Sequence, residues 1–104
     1  MRQFDVLINS DAQSASWAPY LIVLQHDFLT ALDTVVVAPM YRLDDGPAPL
    51  SKINPIVTHE GERLVVSIPE LAGILRHSIG RAVGTLETQR EAIIAALDCL
   101  FTGL

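Results

Sequence analysis

Pro55-Ile-Val-Thr-His-Glu-Gly-Glu-Arg-Leu-Val-Val-Ser-Ile68 is the stretch whose reading decides the fold. Two runs rich in β-branched residues, Pro55 to His59 and Arg63 to Ile68, flank Glu60-Gly61-Glu62, a short polar link centred on a glycine. That pattern is a β-hairpin: each run suits a pleated, half-buried surface, and the link is too short for anything but an antiparallel return.

Working outward, Thr34-Val-Val-Val-Ala-Pro-Met40 is a continuous apolar run, as expected of a central strand covered on both faces, with Pro39 marking its end or a bulge. Gln3 to Asn9 alternates imperfectly between apolar and polar and reads as a strand. Trp17 to Gln25 reads as another, with Pro19 at its start, and the small polar stretch Ser10 to Ser16 between them reads as an exposed loop. Asp44-Asp-Gly-Pro-Ala-Pro49 is a stiff, exposed turn region. On the far side of the hairpin, Pro69 could open a helical turn, Gly73 and Gly80 argue against a long helix, and Leu75 to Thr85 reads as a further strand.

From Thr88 the period changes. Ile93, Ile94, Leu97, Leu100 and Phe101 fall on one face of a helix, and Thr88 with Glu91 has capping-box spacing. Ile93, Ile94, Leu97 and Leu100 are expected to cover the sheet. Phe101, Gly103 and Leu104 extend this apolar stripe to the end of the chain, where an apolar turn is expected to be docked or kept for a partner. The sum is a mainly β, mostly antiparallel domain with one C-terminal helix.

Composition bounds the function. The 104 residues fit one domain, residues 1–104, with a radius of gyration of roughly 13 Å. No apolar run approaches the ~20 residues of a membrane span, and the N-terminus lacks the basic region and long apolar stretch of a secretory signal, so a cytoplasmic protein is expected. Twelve acidic residues against seven basic ones give a net charge of −5, and the basic residues are spread singly. Direct nucleic-acid binding is not expected from such a surface, because it depends on clustered Lys and Arg.

Cys99 is the one cysteine, which rules out an internal disulfide and suits a packing role. His26, His59 and His77 lie on different segments without ligands at metal spacing, Asp44-Asp45-Gly46 lacks the alternating carboxylates of a calcium loop, and Ser16, His59 and Asp27 form a triad only on paper. No catalytic residue, metal or cofactor is assigned. Trp17 is expected in the core or at a dimer contact.

Gln3-Phe-Asp-Val6, Ala38-Pro39-Met40, Asn54-Pro55-Ile-Val57, Ser78-Ile-Gly80, and Arg90-Glu91 opening a final helix that ends Phe101-Thr-Gly-Leu104 occur in an order and spacing that resemble the CcdB toxin family across essentially the whole chain. The resemblance implies a small SH3-like antiparallel β-barrel of the CcdB/MazF kind with a C-terminal α-helix. It also implies a cytosolic homodimer that is not an enzyme. Its implied action is to bind the DNA gyrase A subunit and trap the cleaved-DNA complex, as the toxin of a type II toxin–antitoxin module neutralised by a CcdA-like antitoxin.

Residue by residue, the family's gyrase-binding positions fall on Phe28, Leu29, Asp98, Phe101, Thr102, Gly103 and Leu104. Gyrase-poisoning members carry tryptophan at the position of Thr102 and a neutral amide at that of Asp98. The Ser10 to Ser16 loop is, by the same resemblance, an antitoxin contact, although here only Asp11 in it is charged. Two other functions are open: a MazF/Kid-like endoribonuclease, for which Arg63 and Arg81 would be the arginines to change, and a member that keeps antitoxin binding but has lost gyrase poisoning.

Overall fold

The computed structural model describes residues 1–29 and 31–103, and of Phe28 and Ser51 the main chain alone. Among the described residues seven strands form one antiparallel sheet: β1 (Asp5–Ile8), β2 (Tyr20–Val23), β3 (Thr34–Arg42), β4 (Ile56–His59), β5 (Glu62–Val66), β6 (Ala72–Leu75) and β7 (Ala82–Thr85), followed by helix α1 (Arg90–Thr102). The order is β4-β5-β3-β2-β1-β7, with β6 also paired to β3. The sheet curls into a half-barrel, and the radius of gyration is 12.7 Å.

The hairpin forms as its sequence demands. His59 pairs with Glu62, and the two residues between them, Glu60 and Gly61, both have positive φ, 51° and 77°. A two-residue loop with both φ values positive matches the right-handed twist of its strands.

β3 holds the sheet together. One edge pairs with β2 from Val37 to Met40, while the other pairs with β6 over Thr34 to Val37 and with β5 over Met40 to Arg42. Pro39 neither ends the strand nor bulges it. It faces Leu21 across the β2 edge, and its carbonyl accepts the Ser67 N–H at 2.9 Å on the other edge. The N–H that proline lacks would have pointed into that second edge, where β5 stops and β6 has not yet begun, so the missing donor costs the ladder little.

Covering on both faces follows from the alternation. Val6, Ile22, Ala38, Met40, Leu64 and Val66 point to one side, where Phe4, Ile68, Leu86, Ile93 and Ala96 complete the main core. Leu7, Val23, Val35 and Val37 point to the other and pack with Leu21, Ile74 and Ile79. Helix α1 therefore contributes Ile93 and Ala96 fully, Ile94 and Leu97 in part, while Leu100 and Phe101 stay exposed.

Two readings are corrected by contacts remote in sequence. Leu75 to Thr85 is not one strand but β6, a 3-10 turn at Arg76–Ser78, and β7. The break comes where Gly80 passes over the Ile8 carbonyl, so close that any Cβ at that position would overlap it. The capping box at Thr88 and Glu91 is not made either. Thr88 lies inside a 3-10 turn, Glu87–Gln89, the helix begins at Arg90, and its N-cap Gln89 makes no side-chain cap bond.

The Gln89 side chain is engaged elsewhere. Its amide accepts the Thr58 N–H at 2.9 Å and donates to the Thr58 carbonyl at 2.8 Å. An amide side chain thus satisfies one residue of the β4 edge as a neighbouring strand would, at the seam between β4 and β7. Beside it the His59 ring is buried, edge-on to Tyr20 at 5.2 Å, and lies so near Gly84 that a Cβ there would meet ring carbon Cε1 at 2.7 Å. Gln89→Ala should lower the unfolding free energy by roughly 1–2 kcal/mol in urea titration, because both Thr58 groups lose their partner. Thr88→Ala should change it by less than about 0.5 kcal/mol; equal losses from the two variants would refute the seam role of Gln89.

Candidate functional site

Two groups of side chains carry the expected contacts. The first lies on the 3-10 turn Asp27–Leu29, which leads into β3. Its Leu29 is 47% exposed, and the side chain of Phe28 lies outside the described residues. Asp27 anchors this turn to the start of the chain: its carboxylate accepts the Gln3 main-chain N–H at 2.7 Å and Arg2 Nε at 3.4 Å. Gln25 holds the other flank, donating to the Leu29 carbonyl at 3.1 Å and accepting the Val36 N–H at 3.2 Å.

The second group is the last turn of α1. Phe101 is 69% exposed, an unusual state for an aromatic ring on a helix whose other apolar side chains mostly face the core. Asp98 and Thr102 are exposed beside it. The Thr102 hydroxyl turns back and donates to the Asp98 carbonyl at 2.6 Å, so its polar atom is satisfied within the helix. Gly103 caps the helix in the left-handed conformation, φ 76°, its N–H on the Cys99 carbonyl at 3.0 Å; a side chain there would be strained. Leu104 lies outside the described residues.

A third feature was not anticipated as such. The loop after β1 forms one wall of a groove of about 570 Å³ whose floor is the outer sheet face at Leu21, Val37, Pro39, Ala72 and Ile74, with Asp11 and Glu70 on its rim. The loop is ordered from beneath by Asn9, which is 5% exposed and donates to Ser14 Oγ at 2.9 Å and the Ala18 carbonyl at 2.8 Å. Asp11 closes it with an acceptor for the Ser14 hydroxyl at 2.7 Å. Trp17 lines this groove, 44% exposed and tilted against Tyr41, and is therefore not a core residue. The β-strand read over Trp17 to Gln25 is shorter than expected for the same reason: residues up to Trp17 form turns over Ser14.

A family model described as CcdB protein matches residues 3–103. The chain belongs to the CcdB family. No curated protein matches it. Membership makes this CcdB-family chain a toxin of the toxin–antitoxin kind. In the CcdB-family chain no helix among the described residues is long and apolar enough to cross a membrane, and no group of three or more His, Cys, Asp or Glu side chains there could hold a metal.

Arg63, one of the two arginines weighed for RNA cleavage, lies in a hollow shared with Asp44, Asp45 and the ion-paired Arg42 and Glu62. With Glu62 paired to Arg42, Asp44 and Asp45 remain to disfavour a phosphate beside Arg63.

The Asp27 contacts predict a pH dependence. The Gln3 N–H and then Arg2 favour the carboxylate over the acid and outweigh partial burial, holding the carboxyl below its ordinary value of 3.8. A group whose value is depressed in the folded state stabilises the fold above the unfolded value, and that contribution is lost as pH falls through the folded value. Urea midpoints of wild type and Asp27→Asn should therefore differ at pH 6 and converge well below pH 3.8. A gap that stays constant down to the acid limit would show that Asp27 acts through packing instead.

Proposed function

We propose that this chain is the toxin of a type II toxin–antitoxin module that binds the DNA gyrase A subunit and holds it in the cleaved-DNA state. Leu29, Asp98, Phe101, Thr102 and Gly103, with Phe28 and Leu104, would form the binding surface. The observation that carries this reading is Phe101, an aromatic ring left two-thirds exposed on the last turn of a helix in a chain that matches the CcdB family over residues 3–103. Large aromatic side chains of this kind are where binding energy concentrates in protein interfaces.

On this reading the toxin acts by binding rather than by bond chemistry, as a cytoplasmic homodimer. Affinity for one conformation of a cycling enzyme is enough to stall it. A CcdA-like antitoxin would take the groove beside the Ser10 to Ser16 loop, where apolar floor and acidic rim suit a segment carrying apolar and basic residues.

Thr102 makes a specific prediction. With its hydroxyl spent on Asp98 it offers gyrase only a methyl group, whereas an indole would add an aromatic anchor worth ~2 kcal/mol, roughly thirtyfold in affinity. Purified wild-type, Thr102→Trp and Phe101→Ala proteins should be titrated into a gyrase DNA-cleavage assay. Cleavage complexes should appear with wild type, at roughly thirtyfold lower concentration with Thr102→Trp, and not at all with Phe101→Ala. Activity only in Thr102→Trp would mean that the site survives but the natural protein binds antitoxin without poisoning gyrase. Equal activity of wild type and Phe101→Ala would refute the assigned surface.

A further inference from the structure

Leu29 and residues 31–33, at the end of the Asp27–Leu29 turn and ahead of β3, form a segment that exposes apolar side chains a short loop would ordinarily fold inward: Leu29 is 47% and Leu32 49% exposed. Its carbonyls explain why it does not collapse. Arg76, from the 3-10 turn Arg76–Ser78 after β6, donates Nε to the Leu32 carbonyl at 2.9 Å and Nη2 to those of Leu29 and Thr34 at 3.4 and 3.5 Å. Its main-chain N–H reaches the Asp33 carbonyl at 2.8 Å. One residue thus reaches four carbonyls of a segment more than forty positions earlier in the chain, holding those of Leu32 and Asp33 and sharing those of Leu29 and Thr34 with Gln25 Nε2 at 3.1 and 3.4 Å. A planar fork of donors can do this; an ammonium on a flexible stem cannot.

We propose that Arg76 is a positioning residue for toxin action: through the carbonyls of Leu29, Leu32, Asp33 and Thr34 it holds Leu29 and Leu32 in the arrangement that presents them to the target. The inference rests on the gyrase-binding reading given above, in which Leu29 touches gyrase. It adds a residue outside the binding surface and extends that surface to Leu32. Arg76 itself contributes no contact to gyrase. Its donors face the chain's own carbonyls, so its effect is on the fraction of molecules whose loop is ready to bind.

That assignment makes a kinetic prediction. A residue that sets the competent fraction lowers the apparent association rate and leaves dissociation of the formed complex alone, whereas a residue in the interface mainly changes dissociation. Binding of the full chain to immobilised gyrase A subunit should be followed for wild type, Arg76→Met, Arg76→Lys and Leu29→Asp, each with its thermal midpoint. Arg76→Met should associate about tenfold more slowly with dissociation within about twofold of wild type. Arg76→Lys should recover less than half of that loss, because lysine can hold one carbonyl and not three. Leu29→Asp should abolish binding.

Faster dissociation of Arg76→Met at an unchanged association rate would place Arg76 in the interface and overturn the positioning role. Wild-type rates for Arg76→Met, with Leu29→Asp inactive, would overturn it while leaving the gyrase surface intact. Wild-type binding by Leu29→Asp, or no binding by wild type, would remove the gyrase reading and this inference with it. Should Arg76→Met fail to fold, Arg76→Lys carries the same rate comparison.

Discussion

The change of partner along one edge of β3 is the constraint on which the rest of the structure depends. Nine residues of one strand are served by β5 at one end and β6 at the other, and Pro39 stands at the join without an N–H. A residue with a donor there would have left it unpaired or drawn β5 onward into the ladder. Because β5 stops, the chain turns through the 3-10 segment Ile68–Glu70, sends Ile68 into the main core, and returns as β6 on the same edge with a different register. The sheet curls around that step. Its inner face receives the helix, and its outer face is left with the groove.

A curled sheet with short strands has many main-chain groups that no ladder reaches, and this molecule meets them with long polar side chains. Gln89 serves Thr58, Asn9 serves the loop after β1, Gln25 and Arg76 serve the carbonyls ahead of β3, and Asp27 takes the N–H of Gln3. Each such bond nets only about 1 kcal/mol, and at the buried one, Asn9 to the Ala18 carbonyl, losing the partner would carry the larger penalty of a stranded polar group. Among the described residues one buried side-chain atom, His59 Nε2, has no such partner.

What could be read from the residues divides along the same line. The Glu60-Gly61 hairpin was legible because its signals are adjacent, and so was the two-faced burial of β3, because valines in series have nowhere else to go. Helix α1 was legible by period, but its start was not: Thr88 and Glu91 have the right spacing, and Gln89 is drawn instead to Thr58, thirty-one positions away. The split of Leu75 to Thr85 into two strands depends on Gly80 meeting Ile8, a contact no local pattern contains. At the candidate site the same holds. Leu29 came from resemblance to a family, Phe101 from that and from its place at the end of the helical stripe, and both lie where a partner could reach them, whereas Asn9, Gln25 and Arg76 act on main-chain groups that leave no mark in the sequence.

Strand β6 also bears on how crowded copies of this protein behave. It pairs with β3 on one side, so its other side is a row of main-chain donors and acceptors of the kind on which foreign strands grow. Only four residues are in that row, and a 3-10 segment closes it at each end, Ile68–Glu70 before and Arg76–Ser78 after. A strand laid alongside would find room for about two pairs of ladder bonds before the backbone turned away. Brevity at this edge is a defence against fibre-like stacking, obtained through backbone geometry with no charge spent on it.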